Sequence, residues 1–334
     1  MATKAGGSYG AGGLALAVEA ARRFYVEGAS KVQIADELGV SRFKVARLLD
    51  TARAAGLVQI TIGAPPQVDP YLSAGLRRAL DLRHAVVLAD GRGPVGKSSD
   101  DDDGDDDDGG ERGPLGAAVG KLACDYLQHL VGPDDVVGLA WGHAMAALGG
   151  AWSERVAATF VQLAGSIARP DLALGAPELV RTTAERAGGR AACYYAPIVL
   201  PDAGSATALQ QQIGVREAFG LLDGLTKAVV SIGAWSPRES TVYDALEEAD
   251  RDRVTGAGVV AETTGLLLTA EGVVVDALPD RVVAVGETQL RRARVVAVAV
   301  GASRALAVRS VVRSGLVDTL VTHASLARAL LVAS

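Results

Sequence analysis

The stretch that decides the fold is residues 295–300, which read Val-Val-Ala-Val-Ala-Val. A strand made only of apolar residues has no polar face, so both of its sides must be buried. Similar, mainly apolar runs occur at 136–140, 159–164 and 228–232, with helical patterns between them. The sequence therefore predicts a Rossmann-like α/β domain, in which helices cover both faces of a parallel sheet.

Strands and helices alternate outward from this stretch over residues 85–334. The predicted strands lie at 85–89, 136–140, 159–164, 193–196, 228–232, 282–285, 295–300 and 319–321, with short strands within 259–275. The predicted helices lie at 115–131, 143–151, 176–187, 215–222, 239–249, 303–314 and 324–332. We expect the first strand, 85–89, to be buried like the others.

Residues suited to ligand binding follow three of the predicted strands. Ligands of open parallel sheets bind beyond the carboxyl ends of the strands, where helix starts offer amides to anions. Ser303 is placed to cap the next helix, and Arg304 to pair with an anion. A turn alone could instead explain the glycines, and a surface ion pair could explain Arg304. The candidates are Gly142, His143, Ala144 and Met145 after 136–140, Gly233 and Ala234 after 228–232, and Gly301, Ser303 and Arg304 after 295–300.

The amino-terminal residues show a helical pattern instead. A first helix starts at residue 14 and ends at Gly28, a common helix stop. Ser30 and Gln33 have the Ser-x-x-Gln spacing of a capping box, which predicts a second helix over 31–38.

A third helix is predicted over 42–54, after a short turn, with Ser41 as its N-cap. Val45, Leu48 and Leu49 recur at helical spacing and are expected to pack inward, which leaves the cations of this helix to solvent. Two helices joined by a tight turn, the second with an exposed cationic face, are typical of a helix-turn-helix that enters the DNA major groove. Any small three-helix bundle is the alternative. The candidate DNA contacts are Ser30, Gln33, Ser41, Arg42, Lys44 and Arg47.

The net charge of −6, taken alone, would argue against DNA binding, but this average is misleading. Residues 98–111 contain eight Asp and one Glu with no Lys or Arg, so the rest of the chain carries +3, and residues 1–60 alone carry +3. The spacing of this acidic run does not fit a calcium loop, and its self-repulsion predicts a disordered, solvated loop. Apolar and polar residues alternate at 57–62, which predicts a short strand. This strand would form the wing of a winged helix-turn-helix.

These patterns predict the division of the chain into four segments, the state of its cysteines and its location in the cell. The segments are a disordered N-terminus at 1–13, the helix-turn-helix at 14–63, a linker at 64–84 with a helix at 72–82, and the ligand-binding domain at 85–334. Cys124 and Cys193 lack metal-ligand spacing, so we expect reduced thiols and neither metal nor cofactor. No apolar run approaches the roughly 20 residues of a membrane span, and we expect a cytoplasmic protein.

The predicted helix-turn-helix segment resembles the amino-terminal domain of the SorC family of transcriptional regulators. The resemblance is carried by Phe24-Tyr25-Val26-Glu27-Gly28, Gln33-Ile34-Ala35, Leu38-Gly39-Val40-Ser41-Arg42, Val45-Ala46-Arg47-Leu48-Leu49 and Ala52-Arg53-Ala54-Ala55-Gly56-Leu57-Val58. It implies that Arg42, Lys44 and Arg47 lie on the recognition helix, with Ser30 and Ser41 near the phosphates.

The large domain resembles the effector domain of the same family, which is similar in fold to sugar-phosphate isomerases and glucosamine-phosphate deaminases. The matching segments are Val137-Gly138-Leu139-Ala140-Trp141-Gly142, Gln162-Leu163-Ala164-Gly165, Ala196-Pro197 and, near the end, Gly301, Arg304, Gly315-Leu316-Val317 and Leu320-Val321-Thr322. The resemblance implies operator DNA and a small carbohydrate effector as partners, and a homodimer or homotetramer. It adds Gly165 and His323 to the candidate effector contacts.

Three positions depart from the family pattern. Ala144 stands where Thr is common, Arg304 where Lys is usual, and His323 where an acidic residue is usual. The lost hydroxyl and the changed charge leave two effector classes open, a sugar phosphate and an unphosphorylated sugar or polyol. A sugar-phosphate isomerase or deaminase is the alternative function, for which Asp202, Asp276 and His143 are candidate acids and bases. Asp276 is also kept as a candidate effector contact.

Overall fold

The computed structural model describes residues 11–58, 67–90, 113–166 and 175–332. The chain divides into two compact units, Met1–Gly63 and Ala64–Ser334. Three predictions lie wholly or largely outside the described residues: the disordered start at 1–13, the wing strand at 57–62 and the disordered acidic loop at 98–111.

The first unit contains the three predicted helices, α1 (Ala11–Tyr25), α2 (Lys31–Glu37) and α3 (Arg42–Ala54). Both predicted caps are present. The Gln33 amide donates to Ser30 Oγ while Gln33 Oε1 accepts from the Ser30 amide, and the Lys44 amide donates to Ser41 Oγ. These bonds satisfy amides that the start of a helix would otherwise leave unpaired.

A small apolar core holds the three helices together. Ile34 from α2 and Val45, Leu48 and Leu49 from α3 are all buried in one cluster with three alanines of α1, as the spacing predicted. Small alanines at this junction allow the helices to approach closely. The geometry of α2 and α3 is therefore set by packing on the inner side of the unit.

The second unit is built from eleven strands and eleven helices over its described residues. The strands are β1 (His84–Leu88), β2 (Val136–Leu139), β3 (Thr159–Gln162), β4 (Arg190–Ala192), β5 (Lys227–Ser231), β6 (Gly233–Ala234), β7 (Val259–Thr263), β8 (Leu266–Thr269), β9 (Val274–Val275), β10 (Arg294–Val298) and β11 (Thr319–His323). The helices are α4 (Pro70–Ala79), α5 (Pro114–Gln128), α6 (His143–Ala151), α7 (Ala176–Ala187), α8 (Ala203–Gln210), α9 (Ile213–Leu222), α10 (Thr241–Ala245), α11 (Glu248–Gly256), α12 (Glu287–Arg292), α13 (Ala305–Arg313) and α14 (Ala324–Val332).

Seven strands form a parallel sheet in the order β1-β11-β10-β5-β2-β3-β4. Alternate residues of β10 serve the two faces. Val295 and Ala297 belong to one apolar cluster, packed with α13 and α14, while Val296 and Val298 belong to another, packed with α5 and α6. The prediction of a parallel sheet covered on both sides is confirmed. The expectation that the first strand is buried is wrong, because β1 is an edge strand and only Val87 is buried there.

A second sheet, β6-β7-β8-β9, is antiparallel and was not predicted. It forms from the short strands of 259–275 together with two residues, Gly233 and Ala234, that follow β5 directly. Val259, Leu267 and Leu278 share an apolar cluster with Ala164 and Ile198, which joins this sheet to the segments after β3 and β4. A second small sheet is thus placed immediately beyond the carboxyl end of β5.

Two predicted strands are displaced or absent. The strand expected at 193–196 ends at Ala192, because the Tyr194 amide donates to the side-chain Oε1 of buried Gln162 (3.1 Å) and leaves the ladder. The strand expected at 282–285 is reduced to single bridges, Val199 with Val282 and Ala164 with Ala284. The backbone of this segment bonds to Ile198 and Leu200 on one side and to Leu163 and Gly165 on the other, in single bridges and not in a continuous ladder.

Two predicted helices differ at the ligand-binding end of the sheet. The helix expected at 239–249 is divided into α10 and α11, because Leu246 turns to extended backbone (ψ 151°) and buries its side chain. The helix expected at 303–314 starts at Ala305 and is preceded by a short 3₁₀ turn, Ala302–Arg304. Ser303 therefore lies inside that turn and does not cap the helix. Helices α8 and α12 were not predicted.

Candidate functional site

The cationic residues of α3 lie on the side away from its apolar core. Arg42 and Arg47 are exposed, as predicted, whereas Lys44 is half-buried. Ser30, Gln33 and Ser41 are exposed and also serve as caps. Capping side chains at helix starts lie next to amides that attract phosphate, which suits a position beside the DNA backbone.

Phe43 is the residue of this face that the sequence analysis did not single out. Its side chain is 71% exposed on the first turn of α3, where an aromatic ring has no core to fill. The guanidinium carbon of Arg42 lies 5.1 Å from the centre of its ring, within cation–π range. The signal in the sequence was an aromatic residue between two cations at the start of a predicted recognition helix.

The carboxyl ends of β2, β3 and β5 border two adjoining pockets. We call the pocket that Gly165 and Ser166 line the first pocket, and the pocket that Gly142 and Arg304 line the second pocket. Trp141, Ser231, Thr241 and Glu262 line both. Both pockets lie at strand ends, where ligands of open parallel sheets bind.

Five of the predicted effector residues line these pockets. Gly142, His143, Gly233 and Arg304 line the second pocket, and Gly165 lines the first. Two of these glycines mark close approaches: a Cβ on Gly142 would lie 2.9 Å from Ser231 Cβ, and one on Gly165 would lie 2.6 Å from the Pro197 backbone. Larger residues at either position would push apart the strand ends that form the pockets.

The other predicted effector residues lie elsewhere. The side chains of Ala144 and Met145 are buried in the core beneath α6. Asp276 is exposed and lines a separate pocket beside β8 and β9. Ala234, Gly301 and Ser303 line none of the three pockets described for the chain.

Arg304 already pairs with a carboxylate of the chain. Its side chain is 9% exposed, and Nε donates to Glu239 Oε2 at 2.5 Å. A weaker bond joins its Nη1 to the Ile232 carbonyl at 3.4 Å. The sequence analysis expected Arg304 to pair with an anion of the ligand. That expectation is incomplete, because Glu239 already neutralises much of the Arg304 charge.

Glu262 is a buried carboxylate that the sequence analysis missed. It is 6% exposed, and its two oxygens accept from the Gly265 amide (3.0 Å) and from Ser240 Oγ (3.3 Å). It stands at the border of both pockets. An acidic residue within the otherwise apolar run of β7 was the available signal, because such a charge is seldom buried without a purpose.

His323 supports the turn at Gly301 and lines neither pocket. It is 5% exposed, its Nε2 accepts from the Gly301 amide (3.0 Å), and its Nδ1 lies 3.0 Å from Ser325 Oγ. Burial lowers the pKa of His323, with a smaller opposing effect of Asp90. A neutral ring that accepts at Nε2 carries its proton on Nδ1, so Ser325 Oγ is the acceptor of that proton.

Other classes of site find little support within the described ranges. No group of three or more potential ligands could hold a metal there, and no helix is long and apolar enough to cross a membrane. Residues 91–96, Gly-Arg-Gly-Pro-Val-Gly, match the Gly-x-Gly-x-x-Gly pattern of dinucleotide-binding proteins, but they lie outside the described residues. That pattern is informative only where it follows a strand and its last glycine opens a helix.

A helix-turn-helix unit joined to a parallel α/β domain with a pocket at its strand ends defines the class of ligand-responsive transcriptional regulators. The family model "Putative sugar-binding domain" matches residues 67–332. The chain belongs to this family, as a SorC-type transcriptional regulator with a sugar-binding domain.

Three similar proteins illustrate the relationship. The erythritol catabolism regulatory protein EryD of Brucella abortus is 28% identical over 95% of this chain and 96% of its own length. The transcriptional regulator YjhU of Escherichia coli, itself uncharacterised, is 27% identical over 80% of this chain and 79% of its own. The full-length sorbitol operon regulator SorC of Klebsiella pneumoniae has the same fold, with a TM-score of 0.66 and 21% identity over 95% of this chain and 99% of that structure. All three are named as regulators, not as enzymes.

Proposed function

We propose that the chain binds operator DNA through the α2–α3 unit and controls a carbohydrate operon, with its DNA affinity set by a small carbohydrate in the pockets of the second unit. The presence of both parts in one chain carries the proposal: a capped helix pair with an exposed cationic face, and a pocket at the strand ends lined by hydroxyl and carboxylate groups. Relatives named for polyol operons support it.

The proposed DNA contacts come from the start of α2 and the first two turns of α3. Arg42 and Arg47 are suited to paired hydrogen bonds with guanine, and the half-buried Lys44 to a phosphate. The exposed Phe43 ring is placed to contact a thymine methyl group, an apolar contact in the major groove. Ser30, Gln33 and Ser41 lie beside phosphates in this proposal.

The proposed organisation assigns one function to each part of the chain. Residues 14–63 form the DNA-binding part, 64–84 connect it, and 85–334 bind the effector. Regulators of this kind bind two half-sites related by symmetry, which requires at least a dimer. We therefore propose a homodimer or homotetramer that acts as a regulator and not as an isomerase or deaminase.

Binding-site selection tests the DNA half of this proposal without knowledge of the operator. Purified protein is incubated with random duplexes, and the bound duplexes are amplified and sequenced. We expect an inverted repeat, and we expect Arg42→Ala/Arg47→Ala to enrich none. The matched control is Arg53→Ala, at the end of α3, where the arginine pairs with Asp50. Enrichment of no sequence by the wild-type protein would refute the proposal.

A further inference from the structure

We infer that the effector is an uncharged polyhydroxy compound, a free sugar or polyol, and not a sugar phosphate. This inference rests on the proposed function and narrows it to one class of ligand. It starts from the charges that line the two pockets. Over the described residues, Glu262 is the sole charged side chain that lines the first pocket, and its charge is negative.

The second pocket offers no excess positive charge either. Its charged lining residues over the described ranges are Arg238, Glu239, Glu262 and Arg304, two cations and two carboxylates. Arg304 donates to Glu239, so these two charges offset each other. A phosphate ester would bring up to two negative charges to a lining whose two cations are already matched by two carboxylates, which is unfavourable.

Helix starts are the other place where a phosphate could bind, and one of them faces the first pocket. Gly175 and Ala176 at the start of α7 line that pocket. The anion position there is already taken, because Glu178 Oε2 accepts from the Gly175 amide at 3.1 Å, and Pro177 removes a further N–H donor. The α6 start lies in the second pocket, beside the same two carboxylates.

The remaining polar groups match hydroxyls. Ser166, Ser231, Thr241 and Thr264 place four hydroxyl side chains around the first pocket, next to Glu262. Ser166 Oγ is buried and makes no hydrogen bond among the described residues, so a ligand hydroxyl would satisfy it. A buried carboxylate accepts strongly from neutral hydroxyl donors, which gives a hydroxyl group bonds that a phosphate group cannot make at the same position. Trp141 supplies an apolar wall.

Isothermal titration calorimetry with matched pairs of ligands tests the inference. The full chain is titrated with three- to seven-carbon polyols, aldoses and ketoses, each beside its own monophosphate, and with inorganic phosphate as a separate probe. We expect an uncharged member to bind at least about tenfold more tightly than its phosphate, and inorganic phosphate to give no heat.

Two variants test whether the uncharged ligand binds beside Glu262. Glu262→Gln keeps the size of the side chain and removes its charge, so the uncharged ligand should bind about 10- to 100-fold more weakly, since hydrogen bonds to charged groups are the strong ones. Glu248→Gln removes the same charge from an exposed carboxylate at the start of α11 that lines none of the three pockets, and should leave the affinity unchanged. Unchanged melting temperatures in both variants confirm that they fold.

Each other result has a definite meaning. Tighter binding of a phosphate than of its uncharged parent would overturn the inference while leaving the proposed function intact. Unchanged affinity in Glu262→Gln would also overturn it. If no carbohydrate of either class binds, the carbohydrate part of the proposed function fails together with the inference.

Discussion

Arg304 and Glu239 form a largely buried ion pair, with Arg304 Nε 2.5 Å from Glu239 Oε2, between the turn after β10 and the loop before α10. The pair ties together two segments that meet at the second pocket. Removal of one member leaves the other buried without its counter-charge, which costs more than the pair itself contributes. The two residues should therefore be strongly coupled in stability.

A double-mutant cycle measures this coupling. Arg304→Met, Glu239→Gln and the double variant should show a coupling energy of about 1–3 kcal/mol in chemical denaturation, with the double variant more stable than Arg304→Met. The exposed Arg291–Glu287 pair, four residues apart on α12, is the matched control and should give about 0.5 kcal/mol or less. Equal coupling in both pairs would contradict the structural role given to Arg304 and Glu239.

Phe43→Ala should weaken binding to the selected operator by about 1 kcal/mol without a change in melting temperature, because the ring is exposed and packs in no core. Replacement of single thymines by uracil in the operator removes the proposed partner methyl group. The wild-type protein should lose affinity at one such position and Phe43→Ala should not. If both proteins respond alike at every position, Phe43 does not contact a thymine methyl.

Ser41→Ala should destabilise the first unit by about 1 kcal/mol, because the Lys44 amide loses its acceptor at the start of α3. Ser41→Gly is the informative comparison, since glycine at an N-cap costs only a few tenths of a kcal/mol. Thermal melting followed by circular dichroism measures the difference. Equal stability of the alanine and glycine variants would show that Ser41 does not act as a cap.

His323 should make the folded chain less stable in mild acid. Burial lowers its folded-state pKa below the ordinary value of 6.5, so the unfolded chain binds more protons in this range. The contribution of His323 to stability is complete well above pH 6.5 and is lost as the pH falls below it. His323→Gln should flatten this part of the stability–pH curve. An unchanged slope between about pH 7 and pH 5 would show that another group is responsible.

The sequence predicted the first unit closely because local rules decide its structure. Cap chemistry at Ser30 and Ser41 and the spacing of Val45, Leu48 and Leu49 act within a few residues. The central strands of the sheet were equally predictable, since β10 is apolar on both faces. The strands expected at 193–196 and 282–285 were not, because long-range contacts decide them. Phe43 escaped notice because exposure is a property of the folded surface.

The pockets were only partly predictable because distant segments build them. Gly142, Gly165, Gly233 and Arg304 were found from their positions after strands, yet their neighbours were not. Glu262 comes from the antiparallel sheet, and Glu239 from the loop before α10, at the first position of the helix predicted over 239–249. No spacing rule relates these carboxylates to Arg304, so the sequence showed a cation without its counter-charge.

The most direct test of the account is the dissociation constant of the selected operator with and without a saturating carbohydrate that calorimetry has identified. Fluorescence anisotropy of a labelled duplex at fixed salt gives both values. The account predicts a change of at least tenfold, about 1.4 kcal/mol, in wild-type protein, and a smaller change in Glu262→Gln at the same ligand concentration. An operator affinity that stays the same while the carbohydrate is bound would contradict it.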